Sequence, residues 1–345
     1  MYKDSKMSKK NIANYANIVF LACVVVSILA HIFVSIIELS GAGIPIVMNL
    51  LISQLIILLP ALVVYIFANK NGEIIVPFKK IKLVNVLLMV IFTWLIGPLT
   101  IVANLFSQFF TKNEVVGISS EVTGMPIWLM VLVIGIVGPA NEEFVFRGII
   151  YRGLSIRSHR YIASAILSGL FFGLMHMNFN QFCYAFVLGI IFAFINEVLD
   201  STWPSFICHA VINTQNVLLV YVTNWILSEY AGTNLSEAYT TQGQTTQMKG
   251  IMVVMFGVML IVAVASTSLA ALLFYGICKI EGKENRIKEI LSKDKKEQAE
   301  GQGSNEETEN ACERNRYIIY PAGMIAIGLC IFVMFFLEPL IELLK

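Results

Sequence analysis

Met125 to Ala140 reads MPIWLMVLVIGIVGPA, and the seven residues that follow are Asn141-Glu142-Glu143-Phe144-Val145-Phe146-Arg147. The first run carries no charge and has the length and composition of a segment that enters the ~30 Å hydrocarbon core of a bilayer. The second places two acids and a base in the same segment. A charged side chain at bilayer depth costs about 2.5–3.5 kcal/mol on insertion scales, so three within six positions require compensating chemistry. On a helix Glu143 and Arg147 are four residues apart, with the acid N-terminal, and can neutralise each other on one face. Glu142 points about 100° away and lacks that partner. Glu142 is therefore the candidate working carboxylate, with Glu143 and Arg147 as its structural support.

The same reading extends outward along the chain. Of its 345 residues 57% are hydrophobic and only 14% charged, which lies outside the composition of soluble domains and predicts an all-α polytopic membrane bundle. Apolar segments fall near residues 16–38, 44–68, 83–106, 126–154, 160–178, 183–199, 203–223, 250–278 and 317–342, giving eight to nine spans. The lysine-bearing N-terminus precedes an apolar run without a small-residue cleavage site, so it reads as an uncleaved first span. Lys and Arg gather at the N-terminus, at 70–82, at 152–160 and at 279–316. This alternation places the N-terminus in the cytoplasm and the C-terminus outside, and the expected location is a bacterial-type plasma membrane. Residues 1–278 form the expected transmembrane unit, 279–316 a charged cytoplasmic linker, and 317–345 an additional terminal span. With a net charge of +1 and no glycine-rich phosphate motif, nothing points to nucleic acid. The cysteines show no CxxC pair, and Cys23, Cys183, Cys208, Cys278 and Cys330 lie in apolar runs, the pattern of buried free thiols.

Two of the four histidines fall in apolar segments downstream of the glutamates. His176 closes Phe172-Gly173-Leu174-Met175-His176, and His209 sits four residues before Asn213, on the same helical face. Single histidines of this kind often serve as interhelical hydrogen-bond donors. Together with Glu142 they form an inventory for proton transfer and oxyanion stabilisation, or for a metal. Counting ~1.5 Å per residue, Glu142 lies ~18 Å and His176 ~24 Å from the same end of the bundle, whereas His209 is too shallow by ~10 Å. The connection 196–203 holds Glu197 and Asp200 and no basic residue. If it is sunk into the protein, which buried backbone permits, the set can assemble.

Glu142-Glu143-Phe144-Val145-Phe146-Arg147 fits an EExxxR pattern, Phe172 to His176 an FxxxH pattern, and His209 to Asn213 an HxxxN pattern. In this order the three motifs resemble the CPBP group of intramembrane proteases, which includes CAAX prenyl proteases and bacteriocin-processing proteins, over about residues 126–223. The resemblance implies that Glu142 activates water with His176, while His209 and Asn213 stabilise the tetrahedral oxyanion. The substrate it implies is a peptide bond of a membrane-associated peptide or protein. It also brings the zinc alternative, with Glu142, His176 and His209 as ligands; the metal-free glutamate mechanism is favoured, because no HExxH is present. Two further classes share these residues. One is a non-catalytic immunity or scaffold protein whose polar groups pack helices, and the other is a proton-coupled transporter, which also needs intramembrane carboxylates.

Overall fold

Where no water reaches the backbone, a chain satisfies its N–H and C=O groups internally, and helices do so within a single segment. The computed structural model describes residues 10–68, 76–158, 160–242, 246–300, 318–337 and 339–341, and among them the regular structure is entirely helical. Lys70, His159, residues 301–316 of the linker and residue 317 lie outside the described residues. The spans are α1 (Lys10–Leu39), α2 (Ile46–Ala68), α3 (Leu83–Gln108), α4 (Ile127–Ser155), α5 (Tyr161–Met175), α6 (Phe179–Leu199), α7 (Trp203–Ala231) and α8 (Thr246–Glu281). Two more helices follow, α9 (Glu284–Glu300) and α10 (Pro321–Phe332), the latter continued by a wider π turn over Val333–Leu337. Eight of these are long and apolar enough to cross a membrane, and α5 is a shorter apolar helix. The protein is an all-α polytopic membrane bundle.

Three boundaries differ from the sequence expectation. The shortest apolar helix is α5, not the one ending near residue 199, because Asn178 caps α6 early. Its backbone is extended and its side chain accepts the Gln181 N–H at 2.8 Å, so α6 begins at Phe179. α7 runs on to Ala231, where Gly232 closes it with a positive φ. The charged segment after residue 279 is not wholly a linker, since its first part is the packed helix α9. Ile290 of α9 is fully buried in the cluster that holds Phe192, Cys208 and Cys278, and Arg286 reaches Glu197 at 2.5 Å. An amphipathic helix docks where both its apolar face and its charges find partners.

Helix spacing around the centre is set by small residues, as is usual where lipid supplies no hydrophobic contrast. α5 and α6 approach so closely that a Cβ on Gly189 would stand 2.6 Å from the Gly169 Cα. Gly135 of α4 likewise leaves room for Thr214 of α7. α4 itself is not a regular α-helix. It widens to π geometry over Val131–Val137 and again over Phe144–Tyr151, with one α-helical stretch, Gly138–Glu143, between them. Pro139 has no N–H to give to a preceding carbonyl, and the neighbouring Gly138 N–H bonds five residues back to Val133 O. Such insertions re-aim the side chains that follow them.

The turn between α6 and α7 is buried in protein. Ser201 is 0% exposed and Thr202 2% exposed. Asp200 takes a left-handed conformation, with φ of 51°. The extended segment before α3 covers this turn: Thr202 donates its N–H to Pro77 O at 2.7 Å, and the Ser201 hydroxyl donates to Lys79 O at 2.6 Å. With its backbone satisfied there, α7 starts inside the bundle. At the far end of the chain, α10 packs on α1, where Asn17 donates to Ile318 O at 3.1 Å and Gly323 leaves space for the Asn17 side chain. Cys23, Cys208, Cys278 and Cys330 are buried free thiols and Cys183 is half-buried.

Candidate active site

The short α-helical stretch of α4 carries both glutamates, and α7 crosses it. Arg147 donates from Nη1 to Glu143 Oε1 at 2.9 Å, with the arginine and glutamate side chains 0% and 1% exposed. His209 Nδ1 lies 2.9 Å from the same Oε1. An ionised carboxylate oxygen can only accept, so Nδ1 carries a hydrogen, and Nε2 is left facing the other way. Nε2 stands 3.7 Å from Glu142 Oε2. The histidine thus lies between the two acids, bonded to one and facing the other. Glu142 is 14% exposed at the side chain, against 1% for Glu143.

Buried charges need partners on every side. Arg147 obtains two of its own from aromatic faces: its guanidinium carbon lies 4.2 Å from the Phe172 ring centroid and 5.2 Å from that of Phe192. A guanidinium over a ring face is held by the ring quadrupole, and more strongly once desolvated. The same rings wall in His209, at centroid distances of 5.7 Å from Phe172 and 5.5 Å from Phe192. Phe172 also makes an edge contact with His176 at 5.2 Å. His176 ends α5, and its Nδ1 donates to Phe172 O at 2.9 Å, which leaves Nε2 as the acceptor nitrogen. It stands within Coulombic range of Glu142 and His209. Asn213, one turn beyond His209, donates from Nδ2 to Ile134 O at 3.2 Å, on the first widened stretch of α4. That bond uses one of two amide hydrogens and fixes the plane of the other.

The structure therefore brings Glu142, Glu143, Arg147 and His209 into one cluster, sets His176 within electrostatic reach, and ties Asn213 to the backbone of α4. Residues 124–215, which hold all six, match the family described as Type II CAAX prenyl endopeptidase Rce1-like. Over these residues the chain is similar to that family. The Bacillus subtilis (strain 168) protein named "Putative membrane peptidase YdiL" is 31% identical over 91 residues, which is 26% of this chain. The chain spans 37% of that relative's length. No solved structure matches.

Phe192, Asn196 and Ser205 belong to the surroundings of this site but carry no motif. Phe192 is one of many phenylalanines in apolar runs, and nothing in its spacing separates it from core. Asn196 and Ser205 were visible only as polar residues beside the turn. A zinc ion would require Glu142, His176 and His209 donors to converge about 2.0–2.2 Å from one point. Among the described residues no group of three or more His, Cys, Asp or Glu side chains is placed to hold a metal ion.

Proposed function

We propose that this CAAX-protease-like protein is an intramembrane endopeptidase that hydrolyses a peptide bond of a membrane-associated peptide or protein. The observation that carries the reading is the asymmetry of the two acids. Glu143 is committed to Arg147 and His209, whereas Glu142 faces His209 Nε2 at 3.7 Å with no bond to Arg147. Its carboxylate is available to a water molecule, as a general base must be.

In the proposed reaction Glu142 takes a proton from water, with His176 Nε2 helping to orient it. The hydroxide oxygen attacks the scissile carbonyl carbon. The remaining Asn213 Nδ2–H donates to the oxyanion as it forms, and so does His209 from Nε2 in the form that carries a hydrogen on both ring nitrogens. Glu142 then returns the proton to the departing amine, and the C–N bond breaks. Glu143 and Arg147 take no proton; they hold His209 and α4 in register. No step is routed through a metal. The basic end of the bundle, where residues 76–82, Arg152 and Arg286 meet, is proposed to face the cytoplasm of a bacterial-type plasma membrane. Substrate then enters from the bilayer or from that side.

The test uses purified protein in liposomes with a library of lipid-anchored fluorogenic peptides. A positioned general base contributes about 10²–10⁴-fold, so Glu142→Gln should reduce cleavage by that factor while leaving the thermal unfolding temperature in detergent unchanged. Cleavage by Glu142→Gln at the wild-type rate overturns the assignment. Retention of activity in 1,10-phenanthroline, with no zinc found by elemental analysis, is the expected metal result.

A further inference from the structure

An α-helix gives each carbonyl the N–H four residues on, and a π turn gives it the N–H five residues on. The Ile134 carbonyl of α4 receives neither. It lies in the first widened stretch, Val131–Val137, where the N–H four residues on belongs to Gly138 and is donated to Val133 O instead. Five residues on stands Pro139, whose ring nitrogen carries no hydrogen. Register and proline together leave Ile134 O outside the helical ladder. Its neighbours Val133, Gly135, Gly138 and Pro139 are all buried.

A backbone carbonyl without a donor at membrane depth is costly, so a group from elsewhere must fill the place. Asn213 of α7 fills it, donating from Nδ2 to Ile134 O at 3.2 Å. The adjacent pair of residues shows how so short a side chain reaches. A Cβ on Gly135 would stand 2.4 Å from Thr214 Oγ1 and 3.3 Å from the Thr214 Cα, so α4 and α7 meet almost backbone to backbone beside Ile134 and Asn213. An asparagine amide is planar. Once one of its hydrogens is committed to Ile134 O, the direction of the other follows from that bond.

We propose that Pro139 is a positioning residue that aims Asn213: by withholding an N–H from Ile134 O, it keeps that carbonyl open to the Asn213 amide and so fixes the second amide hydrogen. The proposal rests on the peptidase reading, in which that second hydrogen donates to the oxyanion. Pro139 lies three residues before Glu142 and outside the EExxxR, FxxxH and HxxxN patterns, so no motif spacing marks it. One proline then serves both sides of the reaction. The α-helical stretch that opens with Gly138 and Pro139 carries Glu142, and the carbonyl that Pro139 leaves open holds Asn213.

Pro139→Ala tests this by restoring one N–H and removing the ring that crowds the carbonyl four residues back. If α4 closes to regular α geometry, the Gly138 N–H goes to Ile134 O; if the wide turn persists, the new N–H at 139 does. Either way Asn213 competes with a main-chain donor. Small displacements of a catalytic group cost up to about 10²-fold, so kcat should fall about 10–100-fold with KM within about twofold. Alanine is the better helix former, so the unfolding temperature in detergent should be unchanged or higher. Pro139→Ser brings the same N–H if the alanine variant does not fold. The double variant with Asn213→Ala should lose no more than Asn213→Ala alone, as coupled neighbours do. A kcat within about twofold of wild type, losses that multiply in the double variant, or an unfolding temperature that falls along with kcat overturns the proposal. ¹⁵N-asparagine NMR gives a readout independent of turnover: the Asn213 side-chain resonances, identified by their loss in Asn213→Asp, should move in Pro139→Ala, and unmoved resonances overturn the proposal. If Glu142→Gln stays active, the peptidase reading falls, and the asparagine spectrum still decides whether Pro139 aims Asn213.

Discussion

Two ionic clusters lie within this bundle, built from the same residue types and balanced in opposite ways. At the basic end, Glu197 receives Arg152 at 3.5 Å and Arg286 at 2.5 Å, together with the Tyr151 hydroxyl at 3.1 Å. Asp200 receives Arg152 at 2.8 Å and Lys79. Two acids thus share three bases drawn from α4, α9 and the segment before α3. In the interior, two acids share one arginine and a histidine, and Glu142 has no bond to Arg147. With Glu289 also paired to Arg286 at 2.8 Å, the first cluster matches every acid with a base and fastens four pieces of chain. The second leaves one carboxylate with bonding capacity unused. A full set of partners marks a fastening and a deficit marks a place for a ligand, because only the deficit leaves a group that a substrate or water can satisfy.

The comparison breaks most sharply at Arg147. Arg147→Met leaves Glu143 ionised and buried with His209 alone, and removing one partner of a buried pair costs about 3–5 kcal/mol. Unfolding in mixed micelles should show that loss; a change below about 1 kcal/mol would mean that the aromatic cage, not the ion pair, holds the interior. Next comes Arg286→Ala, which takes a charge-assisted hydrogen bond from Glu197, worth about 1.5–3 kcal/mol. Its measurable consequence is faster amide exchange over α9, with the interior cluster unaffected. Uniform exchange across both regions would show that the two clusters are one cooperative unit.

The smallest effect belongs to Lys79, which is 65% exposed at the side chain. Lys79→Ala should cost at most about 1 kcal/mol, in the range of exposed pairs. Burial pushes the Asp200 carboxyl up, but hydrogen bonds from Lys79 and Arg152, and their charges, outweigh it and hold the group below the usual aspartate range. A carboxyl held low in the folded state binds its proton more weakly there than in the unfolded chain. Its contribution to stability is therefore complete above the ordinary aspartate value of about 3.9 and fades as pH falls through the lower folded value. Melting temperatures of wild type and Lys79→Ala should differ at pH 7 and converge in strong acid. A constant difference across that range would show that Lys79 acts through packing.

Much of the fold was legible because hydrophobic length is a local property. The apolar runs became helices with edges displaced by a few residues, and where they moved, a side chain outside the run decided it, as Asn178 did for α6. The i,i+4 pairing of Glu143 with Arg147 was legible for the same reason, since both residues lie on one helix. What the runs did not reveal was α9, whose charged composition reads as solvated until Ile290 and Arg286 are seen against α6 and α8. Nor could they show the two widened stretches of α4, which depend on Pro139 and on how closely α7 approaches at Gly135.

The sequence by itself determined the membrane class of the chain, the order of its spans, and the candidate set Glu142, Glu143, Arg147, His176, His209 and Asn213, because residue type and helical period are written along the chain. Only the tertiary structure decided which glutamate His209 bonds, which aromatic faces take the place of water around Arg147, and where α7 begins. Those depend on a turn held inside the protein by Pro77 and Lys79, more than a hundred residues earlier in sequence. No local periodicity records a contact of that separation, since its energy comes from burial and hydrogen bonds made only once the helices have met.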